Sequence, residues 1–124
     1  MRKKDILDKL SELPFPKDEY WVITGSAMVL YGLREKTHDI DLGAKSTLID
    51  RLVGVGYEVS EGINGKRLVK YSEDIEILEE FLFDRVVDYE NYPVISLEGL
   101  LEMKRSLGRE KDFRDIKLIE EYMK

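Results

Sequence analysis

The stretch from Tyr20 to Leu42 restricts the possible folds of this chain more than any other. It opens with a short aromatic and β-branched run, Tyr20 to Thr24, which reads as a buried strand. Gly25-Ser26 breaks the run, and Ala27 to Leu33 continues as a short apolar helix stopped near Gly32. His38 to Leu42 returns to strand character. Strand, turn, helix and strand in such quick succession call for a layered α/β or α+β architecture, not a helical bundle or an all-β sandwich.

The flanking segments fit that frame. Ile6, Leu7, Leu10 and Leu13 make an amphipathic helix over residues 4–13 that Pro14 ends. Ser46 is placed to cap a helix carrying Leu48, Ile49, Leu52 and Val53, ended by Gly54 or Gly56. Three further strands are expected at Tyr57–Val59, Arg67–Tyr71 and Asp74–Leu78, with Asn64-Gly65 as the turn between the first two. Glu79 to Tyr92 fits either a short helix or a strand. Beyond Pro93, Ser96 caps a helix that turns Leu97, Leu100, Leu101 and Met103 inward and closes at Gly108. A last helix places Phe113, Ile116, Ile119 and Tyr122 or Met123 at steps of three and four, predicting these as its buried face. The 124 residues are read as a single domain, 1–124, of the α+β class: a mixed sheet flanked by helices, with a helical C-terminal end.

Composition narrows the chemistry. The chain has no cysteine, which excludes a disulfide scaffold, a thiolate metal site and a cysteine nucleophile. Its single histidine, His38, excludes a His-paired zinc site and leaves little room for a Ser-His-Asp triad. Twenty basic against 26 acidic residues give a net charge of −6, which argues against gripping duplex DNA through its phosphates. No apolar run reaches the roughly 18 residues of a membrane span, and the charged opening offers no signal-peptide core. A cytoplasmic protein with no membrane partner is expected.

Two features within the constraining stretch carry chemistry. Gly25-Ser26 stands at a strand-to-helix turn, where glycine permits close approach and free N–H groups favour a phosphate, with the Ser26 hydroxyl as a further donor. The plainer reading of the same pair is a turn with an ordinary capping serine. Asp39 and Asp41 flank Ile40, so strand alternation sends Ile40 and Leu42 to the core and both carboxylates to one face. Two residues span roughly 6.6 Å of strand, a separation that brackets two Mg²⁺ ions about 4 Å apart. The plainer reading is a half-buried strand with a solvated face, although aspartate is poor in strands and paired carboxylates repel. Asp74-Ile75-Glu76-Ile77 repeats the alternation and offers Glu76 or Asp74 as a third carboxylate, with Glu76 deeper in the apolar run. Lys104, Arg109 and Lys111, in a cation cluster interleaved with Glu110, Asp112 and Asp115, read either as a solvated face of i,i+4 pairs or as contacts to a polyanion. Arg34, just ahead of the aspartates, meets either a phosphate or a carboxylate.

The strand, Gly25-Ser26 turn, short helix and Thr37-His38-Asp39-Ile40-Asp41-Leu42 segment resemble the polymerase-β-like nucleotidyltransferase superfamily. They look closest to its small members, the minimal nucleotidyltransferases and the AbiEii-type toxin group. Tyr31-Gly32-Leu33-Arg34 and the tail from Ile95 to Ile116 extend the resemblance over nearly the whole chain. It implies an enzyme that moves a nucleoside monophosphate from a nucleoside triphosphate to an acceptor hydroxyl on a protein, an RNA end or a small molecule. Carried onto this chain, Gly25 and Ser26, with Arg34, Lys104, Arg109 and Lys111, would hold the nucleotide. Asp39, Asp41 and Glu76 would be the catalytic carboxylates and ligate Mg²⁺, two ions being expected and Mn²⁺ able to substitute. Where the family's third carboxylate is usually aspartate, this chain has Glu76. That departure supports the alternative of a catalytically silent binding module or a toxin–antitoxin component.

Overall fold

In a computed structural model, which describes Met1 to Lys124, β1 (Tyr20–Ile23) runs through the sheet with all four residues buried. It follows α1 (Lys3–Ser11) and leads directly into α2 (Thr24–Leu30). Then come β2 (Ile40–Ala44), α3 (Ser46–Gly54), β3 (Val59–Glu61), a 3-10 turn over Ile63–Gly65, β4 (Arg67–Lys70) and β5 (Ile75–Glu79). The hairpin of β6 (Val86–Tyr89) and β7 (Tyr92–Ile95) precedes α4 (Leu97–Leu107) and α5 (Glu110–Tyr122). The strands form one seven-stranded mixed sheet in the order β3-β4-β5-β2-β1-β7-β6, parallel at β2–β5 and β1–β7 and antiparallel elsewhere. No helix is long and apolar enough to cross a membrane.

Register explains how the sheet sorts its residues. Val22, Leu42, Ile77 and Val69 are aligned across four adjacent strands, and all are fully buried in the core. One step along, the aligned row is Ile23, Asp41, Glu76 and Lys70, which alternation sends to the opposite face. The next row on that face is Trp21, Gly43, Leu78 and Leu68. The Trp21 indole lies where a side chain on Gly43 would sit, and its N–H donates to the Phe81 carbonyl at 2.9 Å. Glycine at 43 is therefore a packing requirement.

The structure departs from the sequence reading in several details, among them β3, which begins at Val59 where the expected strand ended, and β2, which begins at Ile40 and not at His38. The β1–α2 turn is made by Thr24 in the left-handed region (φ +53), so Gly25 and Ser26 are already inside the helix. Ser46 is the first residue of α3 rather than its cap, and its N–H is met at 2.7 Å by the Glu80 carboxylate. The undecided Glu79–Tyr92 segment contains a strand whose hairpin turns on Glu90 and Asn91, both with positive φ, as a type I′ turn requires. The α5 helix is rotated from the expected face: Phe113 and Tyr122 are 60% and 52% exposed, while Asp112, Asp115 and Ile119 are buried. Cations from other elements neutralise those aspartates, so ion pairing and not the apolar spacing decides which side turns inward. Ser96 and Gly108 do cap α4 as expected, Ser96 Oγ accepting the Gly99 N–H at 3.0 Å and Gly108 adopting φ +58.

Candidate active site

A cavity of about 390 Å³ lies between the Asp41 face of the sheet and the C-terminal helical pair. The β1–α2 turn contributes Thr24 and Gly25, the loop before β2 contributes Arg34 and Thr37, and β2 and β5 contribute Asp41 and Glu76. Opposite them stand Lys104, Arg109, Lys111, Asp112 and Asp115. Leu68, Leu78, Phe81 and Ile63 line the remaining, apolar part.

Asp41 and Glu76 are direct neighbours in the parallel β2–β5 register, on strands about 4.8 Å apart. Both are half-buried. One oxygen of Asp41 is fixed by the Thr24 hydroxyl, which donates to Oδ2 at 2.6 Å. Thr24 holds that position from a strained backbone: positive φ at a β-branched residue costs on the order of 1–3 kcal/mol, and such strain concentrates at functional sites. Ser26 works from beneath. Its fully buried hydroxyl donates to the Ile23 carbonyl at 2.8 Å and accepts the Asp41 N–H at 3.2 Å, stapling α2 to both strands. Ser26 does not line the cavity; Gly25 and Thr24 do. Replacing Ser26 with Ala should therefore appear as lost stability of about 1–3 kcal/mol, the cost of an unpaired buried N–H. Urea unfolding followed through the single tryptophan, Trp21, measures it.

Asp39 lies one residue ahead of β2, exposed and outside the cavity lining. No three carboxylates or imidazoles converge closely enough to make a ready-built metal cage. The chemistry of Asp41 and Glu76 nevertheless suits Mg²⁺, a hard cation commonly held by one or two carboxylates together with substrate phosphates. Asp74, the other choice for a third carboxylate, is absent from the lining and pairs with Lys9 at 3.1 Å.

The opposite wall is an ion network that links three elements. Arg34 donates to Asp115 at 2.5 Å, and Lys104 lies 3.1 Å from Asp115 and 3.4 Å from Asp112. Arg109 grips Asp112 through Nε at 2.8 Å and Nη2 at 3.1 Å. Burial alone raises the Asp112 carboxyl, but hydrogen bonds from the Arg109 side chain and backbone, with the Lys104 charge, outweigh it and hold the group below the usual carboxylate range. The Asp112 hydrogen bond likewise keeps Arg109 more firmly protonated than usual. Lys104, Arg109, Lys111 and Arg34 thus line one cavity, the first two and Arg34 each paired with a carboxylate of α5. Asp112 and Asp115 were not singled out as functional. Their spacing to Ile119 (112, 115, 119) traces one helix face and was the available signal.

Outside the cavity, Arg67 donates to Glu79 from its side chain and its backbone N–H, and these bonds hold the Glu79 carboxyl down to about 2. That value lies below the unfolded-chain value of about 4.3. The stabilisation is therefore complete above about 4.3 and lost as pH falls through about 2, with Asp112 shifted in the same direction. Acid titration of Trp21 fluorescence should show stability declining across this window, and Glu79→Gln should flatten that decline.

No protein-family model and no curated protein matches the sequence. Solved structures do share the fold. The lincosamide antibiotic adenylyltransferase LnuA, with lincomycin bound, is 18% identical at a TM-score of 0.57, the match covering 94% of this chain and 93% of that one. A candidate nucleotidyltransferase from Thermotoga maritima is 17% identical at 0.55, covering 92% and 87%. At such identities the likeness establishes the architecture: an α+β domain of nucleotidyltransferase-like fold.

Proposed function

We propose that this nucleotidyltransferase-like domain transfers a nucleoside monophosphate from a nucleoside triphosphate to an acceptor hydroxyl. The observation that carries the reading is one cavity in which Asp41 and Glu76, side by side on parallel strands, face Arg34, Lys104, Arg109 and Lys111. Such a wall suits a triphosphate, and the carboxylate pair suits the cation that accompanies one. Asp41 and Glu76 would hold Mg²⁺; Asp39, on the exposed loop before β2, would join them only if that loop turned toward the cavity. When bound, the ion supplies charge neutralisation at the phosphates and a lower pKa for the attacking hydroxyl. Gly25 leaves room for the Arg34 guanidinium to stand over the turn, and the cationic wall orients the phosphates. In the reaction the acceptor oxygen bonds the α-phosphorus, the bond to the β-phosphate oxygen breaks, and pyrophosphate leaves as the acceptor gives up its proton.

The acceptor is a hydroxyl on a protein, an RNA end or a small molecule. The apolar part of the cavity, with Leu68, Leu78 and Phe81, and the likeness to an enzyme that adenylylates an antibiotic favour testing small hydroxylated compounds alongside the macromolecules. A protein acceptor would place the domain in a toxin–antitoxin pair. A second reading, a silent module that binds nucleotide without transferring it, draws on the placement of Asp39 outside the cavity lining and on the lack of a three-carboxylate cluster. The deciding experiment incubates purified protein and Mg²⁺ with each of four α-labelled nucleoside triphosphates, adding in turn cell extract, RNA and hydroxylated small molecules. Label on an acceptor with release of pyrophosphate supports transfer. Bound nucleotide without incorporation supports the silent module, and no binding at all refutes both.

A further inference from the structure

The Arg34–Asp115 pair closes more than a salt bridge. Asp115, on α5 with its side chain 7% exposed, accepts from Arg34 Nη2 at 2.5 Å and also lies 3.1 Å from Lys104 Nζ. The other amino group of Arg34, Nη1, stands over Gly25, so near that a Cβ there would come within 2.7 Å of it. Arg34 and Asp115 line a second hollow as well, together with Leu33, Glu35, Arg114 and Leu118. Lys111 lines both spaces too, and with it the pair stands between them. Once released, Arg34 has room to swing away from the Gly25 turn into the second hollow.

We infer that Asp115 is a positioning residue, which holds the Arg34 guanidinium over the Gly25 turn for the phosphates of a nucleoside triphosphate. The inference rests on the proposed nucleotidyl transfer and names a residue through which that site would work. Arginine has a long, flexible stem, and a buried carboxylate on one amino group orders it before any ligand arrives. The planar fork keeps its remaining N–H donors for phosphate oxygens. The tether does not neutralise the wall: Arg34, Lys104 and Arg109 outnumber Asp112 and Asp115, and Lys111 adds charge at the rim. A mere counter-ion role makes the opposite prediction. Removing one negative charge from a cationic wall would then tighten the grip on a polyanion.

The test is calorimetric affinity, on the full chain with Mg²⁺, for the nucleoside, mono-, di- and triphosphate of one base. In Asp115→Asn the triphosphate should bind about tenfold more weakly while the nucleoside is unaffected, so the loss grows with phosphate count. Arg34→Gln should show a similar loss, and the double variant no more than Arg34→Gln alone, because Asp115 acts through Arg34. Unchanged or tighter triphosphate binding in Asp115→Asn, an equal loss along the series, or additive losses in the double variant would overturn the inference. Should Asp115→Asn fail to fold, Asp115→Glu keeps the charge and displaces the tether by one methylene. It should weaken triphosphate but not nucleoside binding, and parental affinity throughout would count against the inference. A parent that binds no triphosphate refutes the proposed function itself; a parent that binds while Asp115→Asn binds equally well refutes only the positioning role.

Discussion

Glu76→Gln should cut nucleotidyl transfer by a factor on the order of 10³ while nucleotide affinity stays within a few-fold of the parent. The substitution keeps shape and hydrogen-bonding reach but removes the charge beside Asp41 in the β2–β5 register. Thr24 still orients Asp41, and Arg34, Lys104 and Arg109 still face the phosphates. Binding therefore survives, and the step that needs both carboxylates does not. Asp41→Asn should be more severe, losing metal-dependent binding as well as turnover, because it removes the charge on the carboxylate that Thr24 holds in place at the cavity. Glu76→Asp keeps the charge and should retain partial activity, or gain if the shorter carboxylate suits the site. A solvated strand residue would behave otherwise: both Glu76 variants would alter stability by less than about 0.5 kcal/mol and leave turnover untouched. Transfer rate and nucleotide affinity, measured for parent and variants, separate the two cases.

Gly25→Val should weaken triphosphate binding by on the order of 100-fold, about 2.7 kcal/mol. The backbone at Gly25 is ordinary helix, so the cost is steric: its Cβ would fall 2.7 Å from Arg34 Nη1 and 3.0 Å from Thr37 Oγ1. The branched side chain both occupies the space above the turn and pushes the guanidinium aside. Gly32→Ala is the control. Gly32 has φ +79 with open space around its missing Cβ, so substitution there costs about 1 kcal/mol of stability and leaves nucleotide affinity alone. If Gly25→Val bound triphosphate like the parent, the phosphates would have to lie elsewhere in the cavity.

Much of the lining of the candidate site was legible along the chain because its parts are local. Gly25, Asp41 and Glu76 announce themselves by position in short, strongly apolar runs where a polar residue has to be explained, and alternation alone sends both carboxylates away from the core. Ser26 shows the limit of such reading. A serine at a helix start has the same signature whether its hydroxyl faces a ligand or a neighbouring strand, and only the arrival of β2 beneath the turn, with the Asp41 N–H at 3.2 Å, turns it inward. Asp39 shows another. Alternation places it beside Asp41, but the strand starts only at Ile40, leaving Asp39 on an exposed loop.

Periodicity and turn chemistry by themselves determined the fold class, most strand positions and the caps of α4, since these depend on contacts between residues close in sequence. Three things were decided only in three dimensions. The parallel pairing of β2 with β5 brings Asp41 against Glu76 across more than thirty intervening residues. The β6–β7 hairpin turns on Glu90-Asn91, whose strained backbone the flanking strands hold in place. The inward face of α5 is set by Arg34 and Lys104, which reach Asp115 from outside the helix, together with Arg109 at the helix start, which holds Asp112. A buried carboxylate needs a partner charge, and the Arg34 that pairs with Asp115 lies 81 residues away in the sequence.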